Sequence, residues 1–344
     1  MQNDILNQLI KIGAPSNFEF SFQNNLKQEL SKFCETIEID TIGNLIAFNG
    51  DQECSLMITA HCDEVGFIVK YIDSNGFISI CNIGGIDVST LECLKIDIYH
   101  GDSIIRGFIA KRTIESARTL PCDINELWVD IGCTSREQAL ERVSIGDFAT
   151  YHAEDISVFG TGRIGGKSLD NRVGVYICSQ VLKQVNLPIC FVSSVQEEIG
   201  LRGISTAITR IKPLICIVVD VTFATDFPGC DKKKMGEISL GYGPVIPVGA
   251  NVDRELSNII KEIAVENAIP YQIEVNPSSS GTDARTAQIS GKGVKTGIIS
   301  IPLRYMHSPV EIVDETDIVN AISLLKLVVE KVGKSLDHYN HNRV

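Results

Sequence analysis

The sequence of 344 residues has no run of about 18 apolar residues, the length needed to cross a membrane. No apolar segment typical of a secretory signal follows Met1, and we find neither an internal repeat nor a low-complexity segment. These absences predict a cytoplasmic globular protein without a membrane partner.

Several common enzyme motifs are also missing. The sequence has neither the HExxH motif of single-zinc helix proteases nor the GxSxG motif of nucleophile-elbow hydrolases. Residues 160–168 look like a phosphate-binding loop, but their glycines have the wrong spacing from Gly166-Lys167 for the P-loop pattern. Any catalytic site must therefore be built from other residues.

Paired cysteines and positive charge are scarce as well. The 11 cysteines include no CxxC pair, which predicts reduced thiols and argues against a cysteine-rich structural zinc site. The formal net charge of −12 argues against nucleic acid as a partner. Lys232-Lys233-Lys234 is too short for a nucleic-acid patch and is predicted to be a solvated turn.

What is present indicates a folded α/β protein, because 44% of the residues are hydrophobic. Helical spacing is found at 4–12, 19–33, 170–185, 203–209, 254–268 and 315–332, the last helix with Asp314 as its N-cap. Strands are predicted at 36–40, 45–49, 55–60, 189–194, 214–219, 271–275 and 295–300. Since strands alternate with helices after residue 166, we expect a mainly parallel sheet flanked by helices.

Residues 67–159 have a different pattern, with short strands and frequent turns. These strands are predicted at 67–72, 77–82, 95–99, 104–111, 126–131 and 148–152. Such regular spacing with little helical pattern favours a small β-barrel. We therefore predict one α/β domain, residues 1–66 and 160–344, interrupted by an inserted barrel domain of residues 67–159.

Histidines and acids occur where strands of the predicted sheet end or helices begin. They are His61-Cys62-Asp63, Asp170, Glu197-Glu198, Asp220 and His307. Because the carboxyl ends of parallel strands meet at one crevice, we expect these side chains to converge. Two histidines with three carboxylates suit a pair of divalent ions, and a further carboxylate can serve as the general base.

Each of these residues also has an ordinary structural interpretation. A single His61 is more often a hydrogen-bonded structural histidine, and a Glu-Glu pair is more often solvated surface. Asp170 and Asp220 could cap helices, and His307 could lie in an ordinary loop. Only their joint placement favours a site. The remaining histidines are interpreted as structural or surface residues: His100, His152, His338 and His341.

Six segments around these residues resemble, in order and spacing, the M42 family of metallo-aminopeptidases over essentially the whole chain. They begin at Ala60, Gly166, Gln196, Asp220, Gly281 and Arg304. The resemblance implies an α/β fold of the phosphorylase/hydrolase-like, zinc-peptidase type with an inserted barrel. It also implies hydrolysis of N-terminal residues from peptides. The family often has a second aspartate where this chain has Asn171.

The resemblance further implies roles for single residues. His61 and Asp220 would hold one metal ion, Glu198 and His307 the other, and Asp170 would bridge both. Glu197 would be the general base, and Asp63 would accept a hydrogen bond from His61. The Asp170–Asn171 peptide bond would be cis, and Thr282 and Asp283 would bind substrate.

The implied cofactors are two divalent ions, with zinc expected and cobalt or manganese as alternatives. The implied partners are peptide substrates and copies of the same chain, since barrels of the family dimerise and the dimers can form a tetrahedral dodecamer. Alternative functions are a metal-dependent amidohydrolase or deacylase and a glycan-degrading endoglucanase, as some family members have been described. A non-catalytic scaffold would be expected to lack a ligand or Glu197, and none is missing.

Overall fold

The computed structural model describes residues 4–50, 52–111 and 123–336 of the chain, so His338 and His341 lie outside the described residues. Its α-helices are α1 (Asp4–Lys11), α2 (Phe20–Leu30), α3 (Arg136–Leu140), α4 (Leu169–Gln184), α5 (Arg202–Ile211), α6 (Lys232–Met235), α7 (Arg254–Glu266), α8 (Ala284–Ile289) and α9 (Glu315–Lys334).

The strands of the first half are β1 (Thr36–Ile39), β2 (Leu45–Asn49), β3 (Leu56–His61), β4 (Gly66–Ile72), β5 (Ile78–Ile83), β6 (Lys95–His100), β7 (Ser103–Lys111), β8 (Leu127–Asp130) and β9 (Phe148–Tyr151). Those of the second half are β10 (Ser157–Phe159), β11 (Arg163–Gly166), β12 (Ile189–Ser194), β13 (Ile215–Phe223), β14 (Val245–Gly249), β15 (Gln272–Asn276), β16 (Lys295–Leu303) and β17 (Glu311–Asp314).

The central sheet has eight strands in the order β1-β2-β12-β3-β13-β16-β14-β15. Its four middle strands, β12, β3, β13 and β16, are parallel to one another. Every residue of β3 and β12 is buried, as expected for parallel strands covered on both faces. Helix α9 contacts both α4 and α7, and α5 contacts α8, so two helix groups flank the sheet. The predicted α/β fold with a parallel core is confirmed.

Helix α9 shows how the local sequence determines an element. The side chain of Asp314 accepts a hydrogen bond from the Thr316 amide at 2.8 Å, which confirms the predicted N-cap. Acidic residues occupy its first turn and lysines its last, and both favour the helix dipole. Its apolar face, including Ile318 and Leu325, is buried in the main core.

Six antiparallel strands form the closed barrel β4-β5-β8-β7-β6-β9. Alternating apolar residues of these strands, such as Ile78 and Ile80 on β5, fill a core that is separate from the main one. This is the predicted barrel, and closing it removes the exposed edges of a small sheet.

Some local predictions were wrong. β13 continues to Phe223 because it pairs with β16 as far as Leu303, so Asp220 lies within the strand rather than after it. The three lysines from Lys232 are exposed, as predicted for a solvated turn, but they form the short helix α6, which the side chain of Asp231 caps. The small sheet β10-β11-β17 was missed, since the glycines of β11 hide its strand pattern.

The described cysteines are all free thiols, and only Cys93 among them is exposed. This agrees with the predicted reduced state. Within the described ranges, no helix has both the length and the apolar character needed to span a membrane.

Candidate metal centre

The ends of the parallel strands bring the predicted site residues together. His61 is the last residue of β3 and lies opposite Ser194, where β12 ends and the loop to Glu197 and Glu198 begins. Asp220 on β13 lies opposite Ser300 of β16, three residues before that strand ends and the loop to His307 follows. Asp170 enters the same crevice from the start of α4.

Asp170 lies between the two histidine rings. Its Oδ1 is 3.1 Å from Nε2 of His61, and its Oδ2 is 3.2 Å from Nε2 of His307. On one side, His61 Nε2 is also 3.6 Å from Oδ1 of Asp220. On the other, His307 Nε2 is 3.4 Å from Oε1 of Glu198. One carboxylate thus faces two clusters, each completed by one histidine and one acid.

Ligand atoms close enough to share an ion fall into two sets among the described residues. His61, Glu197 and Asp220 form one set, and His61, Asp170 and Glu198 form the other. Glu197, which the resemblance makes a base, therefore also lies within reach of a metal position. If Glu197 is a metal ligand, its removal should release metal. If it is the general base, its removal should leave the bound metal in place.

Both histidine rings are oriented by a contact of Nδ1, the nitrogen that faces away from Asp170. Nδ1 of His307 is 2.7 Å from the carbonyl oxygen of Gly85, in the barrel segment after β5, and this contact turns Nε2 towards Asp170. Nδ1 of His61 faces Asp63, but at 3.2 Å from its carbonyl oxygen and 3.5 Å from its carboxylate. The predicted carboxylate contact with His61 is therefore the longer of the two.

The carboxylate of Asp63 has closer partners in the acidic loop. It accepts hydrogen bonds from the amides of Glu197 at 3.0 Å and Glu198 at 3.1 Å, and from the hydroxyl of Ser16 at 2.7 Å. Asp63 is fully buried. We therefore interpret Asp63 as a positioning residue that fixes the two glutamates relative to His61.

A second buried acid, Glu311, positions the other half of the site. Its carboxylate accepts hydrogen bonds from the amide of Asp170 at 2.9 Å and from that of His307 at 2.8 Å. The Asp170–Asn171 peptide bond is cis, as the resemblance implies. The side chain of Asn171 donates to the carbonyl oxygen of Val219, so this asparagine links α4 to β13.

The electrostatics of the crevice are those of crowded, buried acids. Burial, reinforced by the charge of Asp170, raises the pKa of Glu198 to about 8. Burial also raises the pKa of Glu197 far above its usual value, with Asp220 adding to the effect. Burial lowers the pKa of His61, but the charge of Glu197 and the neighbouring aspartates outweigh it and raise that pKa. Such a cluster is stabilised by added positive charge.

The site opens into a cavity of about 540 Å³. Thr282 lines this cavity, together with Thr222, Glu274 and Arg285. Asp283, predicted with Thr282 to bind substrate, is not among the lining residues. It is buried and accepts a hydrogen bond from Ser194 Oγ at 2.5 Å, because the turn into α8 points it towards the sheet.

The described histidines outside the site are structural, as predicted. His100 pairs with Asp147, and His152 pairs with Asp97.

A buried ion-pair network supports the segment that leads to Asp170. The carboxylate of Glu64 contacts Lys167 at 2.5 Å, Arg172 at 3.3 Å and the hydroxyl of Ser168. Lys167 and Arg172 together outweigh the effect of burial and hold the pKa of Glu64 below its usual value. Sequence reasoning missed this network, because nothing in the spacing of Glu64 and Lys167 predicts their contact.

Replacing Glu64 with glutamine is expected to destabilise the fold by about 3–5 kcal/mol, because it leaves two cations buried without their counter-ion. Urea unfolding of the variant and the wild type measures this loss. The matched control is Glu38→Gln, which breaks the exposed pair with Arg210 and should cost less than ~1 kcal/mol. Equal losses in the two variants would contradict this account of the network.

Comparison with known proteins agrees with this architecture. The family model for M42 glutamyl aminopeptidase matches residues 43–324. A lysyl aminopeptidase of Pyrococcus furiosus is 34% identical, over 96% of this chain and 97% of its own.

Solved structures give the same picture. An aminopeptidase of the archaeon Desulfurococcus kamchatkensis aligns with a TM-score of 0.89 and 32% identity, over 95% of this chain and 94% of its own. The TET1 peptidase of Pyrococcus horikoshii, which can assemble into a tetrahedron or a large octahedral shell, aligns with a TM-score of 0.85 and 28% identity. It covers 95% of this chain and 99% of its own. The chain therefore belongs to the M42 glutamyl aminopeptidase family.

Proposed function

We propose that this member of the family is a dinuclear metallo-aminopeptidase that releases N-terminal residues from peptides, with Glu197 as its general base. One observation carries the proposal: the two carboxylate oxygens of Asp170 face two different histidine rings, at 3.1 and 3.2 Å. A carboxylate placed in this way can bridge two ions.

The residues present fit two divalent ions. Asp170, Glu197, Glu198 and Asp220 are close together and largely buried, and no lysine or arginine pairs with them among the described residues. Buried carboxylates without counter-ions are costly, so this arrangement favours bound cations. We assign His61 and Asp220 to one ion, Glu198 and His307 to the other, and Asp170 to both.

Nitrogen and carboxylate ligands suit zinc, and also cobalt or manganese. When bound, the two ions would supply Lewis acidity, which polarises the scissile carbonyl and lowers the pKa of water. Glu197 would accept the proton from the attacking water as the new C–O bond forms. It would then donate that proton to the departing amine as the C–N bond breaks.

We also propose that residues 67–159 form a dimerisation domain in a cytoplasmic homo-oligomer, with a tetrahedral dodecamer as the larger assembly. The barrel exposes large apolar side chains: Ile104, Phe108 and Ile145 are 56%, 51% and 55% exposed. Ile104 and Phe108 lie on one face of β7, and exposed apolar side chains that lie together are typical of protein–protein contacts. The barrel also supports catalysis, since Gly85 holds the ring of His307.

Removal of metal tests the reaction type. We expect chelation with dialysis to abolish cleavage of leucyl-p-nitroanilide, and addition of zinc, cobalt or manganese to restore it, because each is compatible with these ligands. Release of p-nitroaniline measures the rate.

The N-acetylated substrate is the control for exopeptidase action, and it should not be cleaved. Cleavage of acylated amines but not of free aminoacyl substrates would instead support the deacylase alternative. Release of reducing sugar from a β-glucan, with no peptidase activity, would support the endoglucanase alternative. Activity that survives complete metal removal would contradict the proposal.

A further inference from the structure

The outer wall of the cavity is built from the edge strand β15, whose hydrophobic pattern is reversed. Its apolar residues Ile273 and Val275 are 41% and 72% exposed. Its polar residues Glu274 and Asn276 alternate with them and line the cavity. Because successive side chains of a strand point to opposite faces, β15 directs its polar face inwards. A strand that only covered the core would show the opposite pattern.

Glu274 reaches across the cavity to the strand that carries a predicted metal ligand. Its Oε1 accepts a hydrogen bond from the hydroxyl of Thr222 on β13 at 3.0 Å. In the sheet order β16 and β14 lie between β13 and β15, which would put them roughly 14 Å apart in a flat sheet. Only one residue pair, Val245 with Ser300, joins β14 to β16. The edge of the sheet therefore curls over the cavity and brings the carboxylate in.

The residue that contacts this carboxylate, Thr222, lies close along β13 to the candidate metal ligand Asp220. Thr222 and Asp220 are two residues apart on one face of β13, a separation of about 6.6 Å along the strand. A substrate whose scissile carbonyl lies at Asp220 can therefore direct its first side chain towards Glu274. The four-carbon stem of a lysine spans a gap of this size.

In the part of the chain that the structure describes, no cation neutralises the carboxylate of Glu274. Among the described residues it forms no ion pair, and Thr222 donates its one side-chain hydrogen bond. Partial burial raises its pKa, against the effect of that hydrogen bond, so a cationic neighbour would be favourable. Arg285 is the cationic residue of the lining, but it is exposed at the start of α8. Apart from the proposed metal ligands and Glu197, the charged side chain of the lining that is not exposed is Glu274, and its charge is negative.

We propose that Glu274 binds the side chain of the first substrate residue and that the preferred substrates are peptides beginning with lysine or arginine. This inference rests on the proposed function and adds its substrate class. Thr222 is a positioning residue, because its hydrogen bond orients the carboxylate of Glu274. Acidic first residues are disfavoured, because they would place a like charge against Glu274.

The test compares kcat/KM for lysyl-, leucyl- and glutamyl-p-nitroanilide in the metal-loaded full chain. The wild type should prefer the lysyl substrate. In Glu274→Gln, the ratio of lysyl to leucyl kcat/KM should fall roughly 10- to 100-fold, the usual worth of a hydrogen bond to a charged group. Thr222→Val should lower that ratio by a smaller factor. Glu274→Lys should raise the glutamyl rate relative to the lysyl rate, which a misfolded variant cannot do.

The matched control is Glu266→Gln, which changes an exposed glutamate on α7 that has no side-chain partner among the described residues, and it should leave the ratio unchanged. An equal loss on all three substrates in Glu274→Gln would overturn the inference, since it would indicate binding of the α-amino group or a structural role. A wild-type preference for the glutamyl substrate would also overturn it. Cleavage of none of the three would overturn the proposed function itself, and the inference with it.

Discussion

Glutamine in place of Glu197 is expected to lower kcat by about 10²–10⁴-fold, the usual contribution of a general base. The amide cannot accept the proton from water, but it preserves the size of the side chain and its fit in the crevice. Metal content should stay at the wild-type level, because the assigned ligands, including Asp170 and His307, are untouched. The measurement is steady-state hydrolysis of an unblocked aminoacyl substrate, together with elemental analysis of the same sample.

Metal content is the decisive part of that experiment. Glu197 lies near His61 and Asp220, so its carboxylate is within reach of one metal position. A variant that loses both activity and one equivalent of metal would show that Glu197 is a ligand and not the base. Glu266→Gln serves again as the exposed control and should change neither quantity.

Asp170→Ala is the second large effect we expect. Mutating a residue that only contacts a metal ligand typically lowers metal affinity or activity roughly 10–100-fold. Loss of a direct bridging ligand should have a larger effect. Both ions should bind more weakly, because the two oxygens of Asp170 face both histidines. Elemental analysis after gel filtration measures retained metal, and p-nitroanilide hydrolysis measures the activity.

The control for this variant is Asp102→Ala, which removes an exposed aspartate from the turn between β6 and β7. It should keep metal and activity. Circular dichroism separates loss of metal from loss of fold in Asp170→Ala. Retention of both ions by a folded Asp170→Ala protein would contradict the bridging role.

The main features of the fold were predictable from sequence because they depend on local patterns. Continuous apolar runs in β3 and β12, and the N-cap at Asp314, each have a recognisable local signature. The meeting of His61, Asp170, Glu198, Asp220 and His307 was expected because parallel strands end at one edge. Their common location follows from topology, and their roles remain proposals.

Other features depend on contacts between distant segments and have no local signature. The carbonyl of Gly85 that orients His307 comes from the barrel, 222 residues away in sequence. The contact of Glu274 with Thr222 exists only because the sheet curls. The resemblance implied that Asp283 binds substrate, but the direction of a side chain in a turn depends on backbone angles. The carboxylates of Asp63 and Glu311 accept hydrogen bonds from backbone amides, and any residue type can supply such an amide. The sequence therefore does not predict these bonds.

The most direct test of the dinuclear centre is the metal stoichiometry of the active protein. Metal-free wild type is titrated with zinc, and bound metal per chain is measured by elemental analysis alongside hydrolysis of leucyl-p-nitroanilide. We predict two ions per chain, with activity that depends on bound metal and is lost again on chelation. A fully active protein with one ion or none per chain would contradict the account.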